Sequence, residues 1–157
     1  MKARTLLPLA VVAGLLAATG PAFAKDGCEG SPDHGAVKFV VDVVQLRSAK
    51  GQVTLTVYPD DPRRFLAPHA KLLRQRVPAG PGTTTSCFWL RPGTYALAIY
   101  HDENNNGHFD RSKLGVPVEG FGFSNDAPTR FSLPAFDAVR FQLPPAGRTM
   151  RVKMRYP

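Results

Sequence analysis

The stretch "VKFVVDVVQLRSAKGQVTLTVYP", Val37 to Pro59, carries the period that decides the fold class. Its second half alternates without a break: Val53, Leu55 and Val57 fall on one side, Thr54, Thr56 and Tyr58 on the other. Successive side chains of a strand point to opposite faces, so a period of two reads as a half-buried strand. The preceding run, Val37 to Leu46, is rich in β-branched residues that suit an extended backbone. Ser48 to Gly51 makes a turn between the two, and together they read as a β-hairpin.

The same signal recurs further along the chain. "DDPRRFLAPHAKLLRQRVPAG" is charged and broken by Pro62, Pro68 and Pro78. Pro68 is placed to open a short helix over His69 to Gln75, with Leu72 and Leu73 facing inward. "TTTSCFWLRPGTYALAIYHD" reads as two strands around a Pro92-Gly93 turn of type II. In the second of these, Tyr95, Leu97 and Ile99 share one face, and Ala96, Ala98 and Tyr100 the other. "EGFGFS", "AVRFQLP" and "TMRVKMRYP" are short, alternating and bounded by turn-forming residues. The expectation is an all-β fold, an antiparallel β-sandwich of about seven strands with at most one short helix.

The chain's start points to export. Lys2 and Arg4 precede an apolar run, Leu6 to Ala18, that is short for a membrane span, and "PAFA" offers Ala22 and Ala24 to a signal peptidase. Residues 1–24 read as a signal peptide, leaving 25–157 as one domain without a transmembrane segment, in the periplasm or secreted. Removing Lys2 and Arg4 leaves 18 basic against 12 acidic side chains, a balance of +6. Such a surface suits an anionic envelope polymer or a partner protein. The one basic cluster, Arg148, Arg151, Lys153 and Arg155, reads as a solvated strand face, and nothing indicates nucleic acid. Cys28 and Cys87 both follow the leader, and in an oxidising compartment they read as one disulfide.

The densest chemistry is "HDENNNGHFD", His101 to Asp110. Asp102, Asn104, Asn106 and Asp110 place oxygens at alternating positions, Gly107 allows a sharp turn, and the His108 carbonyl falls where a seventh-position ligand belongs. This is a ligand set for Ca2+. Position twelve holds Lys113 in place of the glutamate of an EF-hand, so a further oxygen must come from elsewhere. Glu119 is the first candidate, with Asn125 and Asp126 behind it. The same residues also build Asx-turns without any ion. Two imidazoles, His101 and His108, are too few for zinc.

"GFGFS" sets Phe121 and Phe123 on one strand face, a packing surface or a ligand surface, and leaves Gly120 and Gly122 bare on the other. No catalytic motif assembles: Ser124 in "GFSND" lacks the second glycine of a nucleophile elbow. A metal-assisted hydrolase would have to draw on His101, Asp102, His108, Asp110 and Glu119.

Taken together, "LRPGTYALAIYHDENNNGHFD", "LGVPVEGFGFSNDA" and "PAFDAVRFQL" resemble the bacterial domain-of-unknown-function family 2141. The shared pattern lies on Pro92, Gly93, Tyr95, Asp102, Asn104, Asn106, Gly107, Asp110, Gly115, Pro117, Glu119 to Ser124 and Asn125. The resemblance implies an exported β-sandwich of transthyretin-like or carboxypeptidase-regulatory-like type, and it implies no activity. The disulfide pair and the proline- and arginine-rich insertion from Arg63 to Pro81 are not part of that pattern.

Overall fold

A computed structural model describes residues 27–129 and 133–157; the signal peptide expected over 1–24 lies outside the described residues. Eight strands form two sheets: β1 (Val37–Val44), β2 (Gln52–Pro59), β3 (Leu73–Pro78), β4 (Thr83–Leu90), β5 (Gly93–Asp102), β6 (Gly120–Phe123), β7 (Phe141–Leu143) and β8 (Arg148–Lys153). The first sheet has the order β4-β1-β8, and the second β3-β2-β5-β6 with β7 also paired to β5. All pairings are antiparallel except β1 with β8, which run parallel. A 3-10 turn (Ser124–Asp126) and a four-residue helix, α1 (Phe136–Val139), complete the described elements.

The two runs that open the fold are both strands, but they do not form a hairpin. β1 lies in the first sheet and β2 in the second. Phe39, Val41 and Val43 on β1 and Val53, Leu55 and Val57 on β2 are all wholly buried in one core, so the strands face each other across the sandwich. The connection between them, 45–51, is long enough to cross from sheet to sheet. Alternation shows which face of each strand joins the core between the sheets; it does not say whether those faces lie side by side or opposite. Nor does it show that β2, expected to be half-buried, is buried on both faces, with Thr54, Thr56 and Tyr58 also covered. The turn at Pro92-Gly93 makes the same kind of crossing, from β4 to β5. Gly93 has no positive φ, so the turn is not of type II.

The helix expected over His69 to Gln75 is absent. Leu73 begins β3, whose backbone pairs with β2 from Val57↔Leu73 to Gln52↔Pro78. Leu73 packs against the core, whereas Leu72 is 41% exposed. The ladder on the free edge of β2 outweighs a helix that would have to end just before Val77 and Pro78.

Between the sheets the core is aliphatic and aromatic, with Phe39 stacked on Phe141 at 4.8 Å between ring centroids. Full burial of each such side chain stabilises by about 1.5–3 kcal/mol. A second apolar layer covers part of the outer face of the β2/β5 sheet. Tyr58, Ala96, Phe123, Ala127 and Val139 are buried there, with Phe65, Leu66, Ala98, Phe121 and Phe136 packed around them. Small Ala96 and Ala98 on that face of β5 leave room for α1 and the 60–70 segment. This second layer positions the site.

Cys28 and Cys87 form a disulfide with Cα atoms 4.6 Å apart. The chain at Glu29 then runs parallel to β4, donating to the Cys87 carbonyl and accepting from Trp89 N–H. Closing the 59-residue separation is worth about 4 kcal/mol in the chain-entropy account. Arg151 and Lys153 lie exposed on β8, a solvated face as the sequence implies, but Arg155 turns inward to the carbonyls of Ala127 and Asp126.

Candidate functional site

Strand β5 delivers its last two residues to opposite sides. His101 is wholly buried, with Nδ1 2.7 Å from the Tyr156 hydroxyl and Nε2 2.7 Å from the Lys50 carbonyl. A carbonyl only accepts, so Nε2 donates to Lys50, while Nδ1 is hydrogen-bonded to the Tyr156 hydroxyl. The imidazole is thereby committed to the chain's own groups and does not join the loop that follows. The five residues a hydrolase would need are not gathered in one place. Ser124 is likewise occupied, accepting from Leu97 N–H at 3.0 Å and donating to the Val139 carbonyl.

Asp102 organises the loop. Its carboxylate has no exposed surface and accepts from the backbone N–H groups of Asn106 at 3.0 Å and Gly107 at 2.8 Å, and from Gln52 Nε2 at 2.8 Å. Asn104 Oδ1 accepts from Asn106 N–H, and Asn106 Oδ1 from His108 N–H, two successive Asx-turns. Both amide nitrogens donate to Asp110, from Asn104 at 2.8 Å and from Asn106 at 2.9 and 3.0 Å. These bonds, Asn106 before Asn104, hold the Asp110 carboxyl below its ordinary range. Asn105 and Gly107 take the left-handed backbone conformation that lets the loop fold back on Asp102. Tyr100 closes the turn by donating to the Gly107 carbonyl at 3.2 Å.

Glu119 enters from β6's leading end and is only 4% exposed. Its carboxylate accepts from Asp110 N–H at 3.0 Å and Glu103 N–H at 3.3 Å. Burial pushes its carboxyl upward first; the N–H of Asp110 opposes this, and the negative charges of Asp110 and then Asp102 add to it. Neither Asp102 nor Glu119 has an ion pair among the described residues, although Arg47 pairs with neighbouring Glu103. The loop therefore brings together Asp102, Asn104, Asn106, Asp110 and Glu119. His108 is exposed and joins through its backbone N–H. Asn125 and Asp126 do not join: Asn125 donates to the Ala138 and Arg140 carbonyls, and Asp126 accepts from Lys153 N–H. Among the described residues no three His, Cys, Asp or Glu side chains are gathered to hold a metal by themselves. A cation here needs amide and carbonyl oxygens too, which is calcium's ligand set and not zinc's.

Beside the loop lies a cleft of about 1000 Å³ over the outer face of the second sheet. Its floor is a chain of rings: Tyr100 to Phe109 at 5.6 Å, Phe109 to Phe121 at 5.7 Å, and Phe121 to Phe123 at 6.1 Å. Phe121 and Phe123 thus share a face as the sequence implies, Phe123 buried and Phe121 half-buried against the cleft. The bare glycine face admits neighbouring chain: a Cβ on Gly122 would stand 2.5 Å from the Lys153 carbonyl oxygen, and one on Gly120 would enter the Tyr156 ring. Phe109, Arg111, Leu114 and Val116 complete the cleft and were not evident in the sequence. Phe109 lies inside a polar motif, where period gives no hint of facing.

Fold and site define a class: an all-β sandwich with an Asx-rich acidic loop set against an apolar cleft. The family model described as "Uncharacterized protein conserved in bacteria", domain of unknown function 2141, matches residues 41–151, and the chain belongs to this family. Neither curated proteins nor solved structures give a significant match. Among the described residues no helix is long and apolar enough to cross a membrane.

Proposed function

We propose that this chain is an exported, non-catalytic binding or envelope accessory module whose loop at 102–110 takes up calcium. The observation that carries the reading is the burial of two carboxylates, Asp102 and Glu119, beside Asp110 without an ion-paired cation on either buried group. Buried charge is costly unless it is paired, and a divalent ion supplies the pairing. Asp102, Asn104, Asn106, Asp110 and the His108 carbonyl supply oxygens, and Glu119 takes the place of the missing twelfth-position carboxylate. Each Asn oxygen that accepts one N–H keeps a second lone pair for the ion. Few carboxylates imply weak affinity, roughly 10⁻⁴ to 10⁻³ M, as in extracellular modules. Export is supported by the leader-like residues 1–24 and by the disulfide, which persists outside the cytosol.

Terbium, a luminescent stand-in for calcium, tests the site directly. Tyr100 touches the loop through Gly107, so its excitation should sensitise bound terbium, and calcium should quench the signal by displacement. Tyr100→Phe should lower the emission while leaving competition by calcium in place. Absence of sensitised emission from the wild type rejects the loop as a calcium site.

A further inference from the structure

We propose that the cleft beside the loop binds a long-chain acyl anion, its chain lying on the Tyr100–Phe109–Phe121 rings and its carboxylate met by Arg111 and Arg155. This rests on the binding-module reading but not on calcium.

The floor is aromatic, but the rim is aliphatic and unusually bare. Leu114 is 90% exposed and Val116 53%, and both line the same cleft. Leu114 and Val116 stand on a tight turn closed by Ser112 N–H to the Val116 carbonyl and Gly115 N–H to the Ser112 carbonyl, so their exposure is built into the backbone. Contiguous apolar surface of this kind on a soluble domain marks a contact site. A small flat ligand on the rings would leave the rim uncovered; a flexible alkyl chain covers both. The volume is at the upper end for small-molecule sites and suits a ligand of that length.

Charge chooses the headgroup. Among the described residues, both basic side chains lining the cleft lack a carboxylate partner. Arg111 donates to the Gly115 carbonyl and lies 5.1 Å over the Phe109 ring, and Arg155 donates to the Ala127 and Asp126 carbonyls. A guanidinium has five N–H donors, so each keeps donors for an incoming carboxylate.

The test is calorimetric titration of the exported protein with monomeric dodecanoate, dodecyltrimethylammonium and butanoate. Dodecanoate should bind one-to-one and at least about tenfold more tightly than the cation of equal chain length, and butanoate should give no heat. Leu114→Asp and Val116→Asp, both at exposed positions, should each weaken dodecanoate by about tenfold, and Arg111→Gln should erase the preference for the anion. Equal binding of both headgroups, unchanged binding by the rim variants, or binding to anionic phosphatidylglycerol vesicles without uptake of the monomer would overturn the proposal. Loss of dodecanoate binding with the terbium signal intact rejects only this ligand class; loss of both rejects the binding module.

Discussion

Asp102 is a buried carboxylate that spends its oxygens on Asn106 N–H, Gly107 N–H and the Gln52 amide. Hydrogen bonds to a charged acceptor contribute about 1.5–3 kcal/mol each, so the residue holds the loop shut even without an ion. Asp102→Ala should therefore lower ion-free stability by at least about 2 kcal/mol in denaturant unfolding and also remove any calcium response. A variant as stable as the wild type would mean the loop does not depend on this carboxylate. Glu119 gives the pH dependence. Its folded pKa lies above the ordinary value because of burial and then the neighbouring carboxylates. Its contribution to ion-free stability is thus complete below the unfolded pKa and lost as pH rises through the raised folded one. Calcium needs the ionised form, so protons compete for the site. The calcium-induced rise in melting temperature should be larger at about pH 7.5 than at about pH 5, read by thermal unfolding. A response that does not change with pH would remove Glu119 from the ligand set.

Among the elements, β6 shows most clearly why composition was legible while arrangement was not. "GFGF" reads as a strand with an aromatic and a bare face, and the structure keeps both. What approaches the bare face is the end of β8 and Tyr156, remote in sequence. Gly122→Ala would press a methyl on the Lys153 carbonyl and should cost about 1–3 kcal/mol, measured by chemical denaturation. A neutral substitution would show that β6 and the β8 end are not in close contact. β2 and β5 were readable because their core residues, Val53, Leu55 and Val57 on one and Leu97 and Ile99 on the other, recur at every second position. Burial itself alternates strictly only in β4, and β2 is buried on both faces. β3 was not readable, since its arginines, Arg74 and Arg76, hide a period that only pairing with β2 reveals. The hairpin failed for a related reason: local period is blind to which sheet a strand joins.

At the scale of the molecule, two layers over one sheet make a core on one side and a cleft on the other. The inner core was visible in the sequence as alternation. The cleft was not, because Tyr100, Phe109, Arg111 and Leu114 belong to a strand, a polar loop and a turn with no common period. The disulfide was legible because both cysteines follow the stretch read as a leader, and it ties the segment at Cys28 to β4 at one edge of the first sheet. The acidic loop was legible as a run of Asx-turn residues, but its inward carboxylates and its closure by Glu119 emerge only when β5 and the start of β6 are paired. On this account the loop's unpaired buried charge is completed by calcium. The most direct measurement is thermal unfolding of the disulfide-bonded chain with calcium stepped up to about 10 mM, beside magnesium at the same concentrations. Calcium should raise the melting temperature progressively, with a stabilisation of about 2.7 kcal/mol once it exceeds its dissociation constant a hundredfold, and magnesium should do much less. A melting temperature unmoved by calcium across that range contradicts the account and leaves the loop as an Asx-turn.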